Sequence, residues 1–105
     1  MAHAELFHAL GDPTRRALFE RLMTGEASVT ELTSGLRVSQ PAVSQHLAVL
    51  RDAGLVAPRQ VGRHRMYRAE PAGLAPLFDW LSHYEKFWKR RLAKLQSTLE
   101  ELDDD

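Results

Sequence analysis

Residues 28–56 read SVTELTSGLRVSQPAVSQHLAVLRDAGLV, and this stretch decides the fold. Ser28 precedes Glu31 by three residues, which is the spacing of a helix capping box. Ser39 is suited to cap a second helix, because Pro41 is tolerated in a first turn and Gly54 marks a helix end. The stretch therefore predicts two short helices joined by a tight turn, the second of them over residues 39–53.

The second helix has one apolar side and one polar side. At about 100° per residue, Val43, Leu47 and Leu50 fall together and predict core contacts. A helix whose other side carries small and polar residues fits the major groove of DNA, where Gln pairs with adenine and Ser reaches base edges or phosphates. The candidates for reading bases on that side are Gln40, Ser44 and Gln45.

A basic hairpin follows directly. Residues 55–57 predict one strand, residues 61–63 a turn and residues 64–68 a returning strand, so that an Arg-rich wing spans residues 55–69. Between residues 37 and 68 six arginines stand against one aspartate, a net charge of +5. We expect Arg63 and Arg65, at the hairpin tip, to contact phosphates or a flanking minor groove.

The whole chain has the size and composition of one globular unit. Its 105 residues predict a single domain over residues 1–105, and 44% hydrophobic with 27% charged residues exclude collagen-like and disordered classes. The formal net charge is zero because the basic segment between residues 37 and 68 is offset by residues 96–105, which carry five acidic residues and no Lys or Arg. Without cysteine, and with no secretory signal in the opening MAHAELFHAL, we expect a cytoplasmic protein with no membrane partner.

The flanking segments predict further helices. Asp12 followed by Pro13 is typical of a helix start, and Gly25 of its end. Residues 77–102 contain neither Gly nor Pro and predict one long helix of roughly 40 Å. Interrupted only by Glu85, its apolar residues recur at spacings of three and four: Phe78, Leu81, Trp88, Leu92, Leu95, Leu99 and Leu102.

A leucine-rich stripe of this length overhangs a domain of 105 residues, and pairing with a second copy removes it from water. We therefore predict a twofold homodimer with residues 1–10 and 74–102 in the interface. The predicted interface residues are Leu81, Trp88, Leu92, Leu95 and Leu99. The predicted fold is mainly α (α+β), a winged helix-turn-helix with a two-stranded β-hairpin wing and a long C-terminal dimerisation helix.

The chain resembles the ArsR/SmtB family of bacterial winged-helix repressors over essentially its whole length. The resemblance is carried by LGDPTRRALFERL at residues 10–22, by residues 28–56, and by GRHRMYR at residues 62–68. It implies a dimeric repressor that binds an imperfect palindrome and is released by an inducer. It also implies that DNA contacts come from Ser39, Gln40, Ser44, Gln45 and His46.

Members of that family often sense metals, but the ligands match poorly here. The chain lacks cysteine, and Asp79 and His83 share a helix face while residues 84–105 contain no further histidine. We predict no metal site and no cofactor. A site built from Asp79 and His83 of two chains stays open as an alternative.

The middle of the long helix is crowded with aromatic residues, which predict core and dimer packing. They are Trp80, Tyr84, Phe87 and Trp88. The alternative is a small organic effector held between the C-terminal helices and the first helix.

The sequence offers no enzyme signature, since Gly-rich phosphate loops, HExxH and GxSxG are all missing. The predicted function is that of a sequence-specific DNA-binding regulator, a homodimeric repressor that binds double-stranded DNA at a palindromic operator. Two alternatives are a protein-interaction module that uses the C-terminal leucine seam, and a nonspecific architectural DNA binder.

Overall fold

A computed structural model describes residues 2–103. Met1, Asp104 and Asp105, which belong to the predicted domain, lie outside the described residues. In the described part a 3-10 helix (Pro71–Leu74) links the sheet to the last two helices. The other elements are α1 (Ala2–Leu10), α2 (Pro13–Met23), β1 (Ala27–Ser28), α3 (Val29–Ser34), α4 (Gln40–Asp52), β2 (Val56–Val61), β3 (His64–Ala69), α5 (Ala75–Ser82) and α6 (Glu85–Asp103).

Local hydrogen bonds fix where α2, α3 and α4 begin. The side chains of Asp12, Ser28 and Ser39 each accept a bond from the backbone N–H three residues later, at 3.0, 3.1 and 3.3 Å. Glu31 accepts the backbone N–H of Ser28 at 3.2 Å and completes the capping box. These N–H donors hold the pKa of Asp12 and of Glu31 below its ordinary value. The predicted helix-turn-helix starts are confirmed.

The core lies where α1 to α4 meet the sheet. Val43, Leu47 and Leu50 are fully buried, as the helical spacing predicts. They pack among Leu18 of α2 and Leu55, the residue before β2. Because α4 places its apolar side in this core, its opposite side faces solvent at a fixed angle.

The predicted hairpin is confirmed, with a first strand longer than expected. β2 and β3 pair from Val56 opposite Ala69 to Val61 opposite His64. Gly62 takes a φ of 61° at the first turn position, a conformation that strains any residue with a Cβ.

A third strand, which the sequence did not predict, makes the sheet three-stranded in the order β1-β3-β2. Ala27 lies opposite Tyr67 and Ser28 opposite Met66. Ser28 also caps α3, so one residue joins the wing to the first helix of the helix-turn-helix. A two-residue strand carries too little alternation to be recognised from sequence.

The prediction of one helix over residues 77–102 is wrong, because the chain breaks at His83 and Tyr84 between α5 and α6. The Ser82 hydroxyl donates toward the carbonyls of Phe78 and Asp79, and His83 Nδ1 donates to the Asp79 carbonyl at 2.8 Å. The N–H of His83 and of Tyr84 bonds three residues back rather than four. These local bonds tighten the last turn and end the first helix.

The second of these helices, α6, projects from the body of the protein. Its 19 residues span about 28 Å, and the radius of gyration is 18.3 Å where about 13 Å is expected for a compact chain of this size. Every side chain between residues 85 and 102 is exposed. The helix therefore offers its whole circumference to solvent or to a partner.

Candidate nucleic-acid interface

The solvent side of α4 carries the residues that the sequence assigns to base reading. Gln40, Ser44 and Gln45 are all exposed, and Gln40 occupies the first position of the helix. The buried side is held by Val43 and Leu47, so the exposed side chains stand on a rigid element. This geometry suits insertion of the helix into the major groove.

The structure brings four of the predicted site residues together around one groove of about 240 Å³ between α4 and the wing. Gln40 and Ser44 lie on one wall, and Arg63 and Arg65 on the other. The remaining lining residues are Ser28, Val29, Thr30 and His64. The exposed side of α4 and the basic tip of the wing thus form one continuous surface.

Thr30 and His64 are polar groove residues that the sequence analysis did not select. Thr30 is exposed in the first turn of α3, and His64 is the first residue of β3. His64 lies between Arg63 and Arg65 in the GRHRMYR motif, and this position between two predicted DNA contacts could have identified it as a groove residue. Thr30 reaches the groove only through the packing of α3 beside α4.

Three predicted site residues lie outside this groove lining. The Ser39 hydroxyl accepts the backbone N–H of Ala42, so its local role is to cap α4. Gln45 is exposed on α4 but does not line the groove. His46 is half-buried, and its Nδ1 lies 3.3 Å from Nη1 of Arg15 in α2.

The positive charge of the wing is concentrated at its tip. Arg59 binds Glu26 at 2.8 Å, a contact that raises the pKa of Arg59, and Arg68 binds Glu70 at 2.9 Å. Within residues 2–103, no carboxylate lies within 4.0 Å of the guanidinium of Arg63 or Arg65. The tip therefore keeps the charge that attracts phosphate, while the base of the wing is neutralised internally.

The predicted dimer residues form an exposed apolar stripe on α5 and α6. Contiguous apolar surface that a single chain leaves exposed is typical of an interaction site. The exposed fractions are 40% for Leu81, 48% for Trp88, 62% for Leu92, 55% for Leu95 and 53% for Leu99.

Aromatic residues join α1 to this stripe. Phe7 meets Trp80 edge to face with ring centroids 5.3 Å apart, and Trp80 meets Tyr84 at 5.4 Å. An open apolar hollow of about 260 Å³ is lined by Trp80, Leu81, Tyr84, Phe87 and Trp88. The segments predicted to form the dimer interface, α1 and α5 with α6, thus share one apolar surface.

The described residues offer neither a cluster of metal ligands nor a helix that could cross a membrane. Between residues 2 and 103, no three His, Cys, Asp or Glu side chains stand close enough to hold a metal ion. Asp79 lies in α5, whereas His83 follows that helix and directs Nδ1 at the Asp79 carbonyl. None of the helices described is long and apolar enough to cross a membrane.

Comparisons with known proteins give the family and the fold that this chain resembles. Residues 12–57 match the family model described as bacterial regulatory protein, arsR family. The chain is 46% identical over 99 residues to the HTH-type transcriptional regulator Rv2034 of Mycobacterium tuberculosis. This match covers 94% of this chain and 90% of Rv2034. The chain is 40% identical over 83 residues to the HTH-type transcriptional repressor SmtB of the same species, covering 78% of this chain and 62% of SmtB.

The fold is similar to that of a solved ArsR-like transcriptional regulator from Rhodococcus sp. RHA1. The TM-score is 0.73 at 35% sequence identity, and the match covers 92% of each chain. The winged helix-turn-helix expected from the sequence is therefore confirmed.

Proposed function

Because the chain belongs to the ArsR family of bacterial regulatory proteins, and is thus a DNA-binding transcriptional regulator rather than an enzyme, we propose that it acts as a homodimeric repressor. The dimer binds a palindromic operator in the cytoplasm and blocks transcription from it. The observation that carries this proposal is the groove shared by Gln40 and Ser44 of α4 and by Arg63 and Arg65 of the wing.

In this proposal the recognition helix, residues 39–53, enters the major groove. Gln40, Ser44 and Gln45 read base edges, because amide and hydroxyl groups supply both donors and acceptors. Ser39 brings the amino-terminal end of α4 near a phosphate, where free N–H groups attract an anion. His46 contacts DNA from the flank of the helix.

The wing, residues 55–69, supplies affinity more than sequence preference. Arg63 and Arg65 contact phosphates or the flanking minor groove, which positions the protein without reading bases directly. The pairing of β1 with β3 supports this role, because it holds the wing at a fixed position relative to α3.

The dimer forms through residues 1–10 and 74–102, which include α1, α5 and α6. Leu81, Trp88, Leu92, Leu95 and Leu99 leave water on association, and apolar burial contributes about 25 cal/mol per Å². A twofold dimer that reads successive major grooves on one side of the duplex holds its recognition helices about 34 Å apart. The operator is then a palindrome with half-sites one helical turn apart.

Footprinting on the DNA upstream of the chain's own gene tests this proposal. We expect two protected half-sites whose centres lie about 10 base pairs apart. A single protected half-site contradicts the dimer, and uniform protection of any DNA favours the architectural binder. Absence of protection at low salt, combined with binding of a different protein by the leucine seam, favours the interaction module.

A small organic effector is the inducer class that the aromatic hollow favours. The hollow beside Trp80 and Tyr84 is apolar and adjoins Phe7 of α1, so an aromatic ligand there contacts both dimer-forming segments. Screening aromatic compounds by tryptophan fluorescence checks this, with release of the operator as the second readout. A compound that shifts fluorescence and releases DNA supports the assignment, and binding that leaves the DNA complex intact contradicts an inducer role.

A further inference from the structure

A titratable ring, that of His64, lies at the tip of the wing and is not among the proposed DNA contacts. His64 is the first residue of β3, stands between Arg63 and Arg65, and is exposed. It lines the groove between α4 and the wing together with both arginines and with Gln40 and Ser44. The imidazole therefore lies within the surface that is proposed to bind DNA.

The register of the sheet places His64 beside the start of α3. Ser28 of β1 lies opposite Met66 of β3, and the two strands run antiparallel. Two residues beyond Ser28 is Thr30, and two residues before Met66 is His64, so the pairing directs both toward the same end of the sheet. Both line the groove. The position of His64 thus depends on β1 as well as on the hairpin turn.

The charged groups around His64 are Arg63 and Arg65 on its own hairpin, Glu31 of α3 and, beside Glu31, Arg21 of α2. The part of α4 that lines the groove is neutral. Hydrogen bonds in the capping box hold the pKa of Glu31 below its ordinary value, with smaller contributions from Arg21 and His64. Glu31 is therefore ionised at neutral pH, and arginine stays charged throughout. Among these groups, the imidazole is the one that changes charge near pH 7.

The wing tip contains no bound counter-charge for a protonated imidazole. Within residues 2–103, no carboxylate lies within 4.0 Å of the His64 ring. The neighbouring Arg65 guanidinium lies 5.7 Å from the centroid of the Tyr67 ring, which holds it on the wing. An anion that enters the groove therefore meets fixed positive charge, and such an anion favours the charged form of an imidazole beside it.

We propose that His64 is a further DNA-contact residue, and that it binds a backbone phosphate in its charged, imidazolium form. This inference rests on the proposed function and adds a contact that depends on a proton. The neutral ring, which prevails at higher pH, makes a weaker hydrogen bond and releases no counterion. Affinity for DNA should therefore rise as the pH falls through the neutral range.

Anisotropy titration at about pH 6 and about pH 8 tests the contact, on the duplex upstream of the chain's own gene and on a scrambled duplex. At about 0.1 M salt, we expect binding to both duplexes to be about tenfold or more tighter at the lower pH. The slope of log affinity against log salt should also be steeper there by about two, because a dimer gains two phosphate contacts of about 0.9 each.

Two substitutions separate His64 from other titrating groups. His64→Gln keeps a hydrogen-bonding side chain without a charge, and at both pH values it should bind as the unmodified protein does at about pH 8. His64→Arg carries a permanent charge and should bind at both pH values as the unmodified protein does at about pH 6. The control is Arg63→Ala, which should weaken binding at both pH values but keep the ratio between them. Circular dichroism checks that all three variants are folded.

Each other outcome overturns the inference. Unmodified protein that binds DNA equally well at both pH values contradicts a proton-dependent contact and leaves the proposed function standing. A pH dependence that persists in His64→Gln assigns the proton to another group, and weak binding of folded His64→Arg at about pH 8 has the same meaning. A loss in His64→Gln that is confined to the upstream duplex indicates base reading rather than phosphate binding. A chain that binds neither duplex at any pH overturns the proposed function and this inference with it.

Discussion

The guanidinium of Arg15 lies 3.3 Å from Nδ1 of His46 and joins α2 to the recognition helix. The same guanidinium donates to the carbonyl of His8 at 2.7 Å and to that of Ala9 at 2.8 Å. One side chain thus connects the carboxyl end of α1, which belongs to the proposed dimer surface, with α4, the proposed recognition helix. We therefore expect a displacement of α1 to alter the position of α4 through Arg15.

Arg15→Ala is expected to lower the free energy of unfolding by about 2 kcal/mol, because charged hydrogen bonds to two carbonyls are lost. It should also weaken operator binding, since α4 loses a contact that fixes its position. The matched control is Arg16→Ala, which removes one exposed hydrogen bond, to the Leu10 carbonyl at 2.6 Å. Urea denaturation and operator titration measure both variants, and equal losses for the two arginines contradict the bridging role.

Gln45→Ala is expected to cost about 1–3 kcal/mol on the operator and little on random DNA, because a lost base contact affects only the sequence that it reads. Fluorescence anisotropy on both duplexes provides the measurement. An equal loss on operator and random DNA removes Gln45 from base reading.

Arg63→Ala is expected to weaken binding to operator and random DNA alike. Each phosphate contact contributes about 0.9 to the slope of log affinity against log salt, so a dimer that loses two such contacts should show a slope shallower by about two. Arg59→Ala is the control on the same wing, because Arg59 is already paired with Glu26. An unchanged slope for Arg63→Ala excludes the wing tip from the phosphate contacts.

The double substitution Leu95→Glu/Leu99→Glu is expected to give folded monomers that bind the operator poorly. Two charges in the apolar stripe must either stay in water or enter an interface without partners, and both prevent association. Ser97→Glu places one charge on the opposite side of α6 and should leave the dimer intact. Light scattering and circular dichroism check mass and folding, and a folded dimer of the double variant contradicts the stripe as the interface.

Local signals along the sequence predicted α2, α3 and α4 and the exposed side of α4. Ser28, Glu31 and Ser39 predict where their helices begin, because a helix cap joins a side chain to a backbone N–H three residues away. The buried side of α4 followed from helical spacing alone. Gln40 and Ser44 could be selected for the same reason, since the side of a helix that faces away from the core is available to a ligand.

The remaining features depend on contacts that spacing does not encode. β1 exists because Ala27 and Ser28 meet β3, although two residues show no periodicity of their own. The break after Ser82 arises from side chains that bond to the preceding carbonyls, in a segment without Gly or Pro. The contact of Arg15 with His46 spans 31 positions and needs the packed α2 and α4.

Anisotropy titration tests most directly whether this chain is a sequence-specific regulator. The unmodified protein is titrated with the duplex upstream of its own gene and with a scrambled duplex of equal composition, each across a salt series. We expect a preference of about a thousandfold or more for the upstream duplex, which is the range of specific DNA recognition. Equal affinity for both duplexes at every salt concentration would contradict sequence-specific regulation.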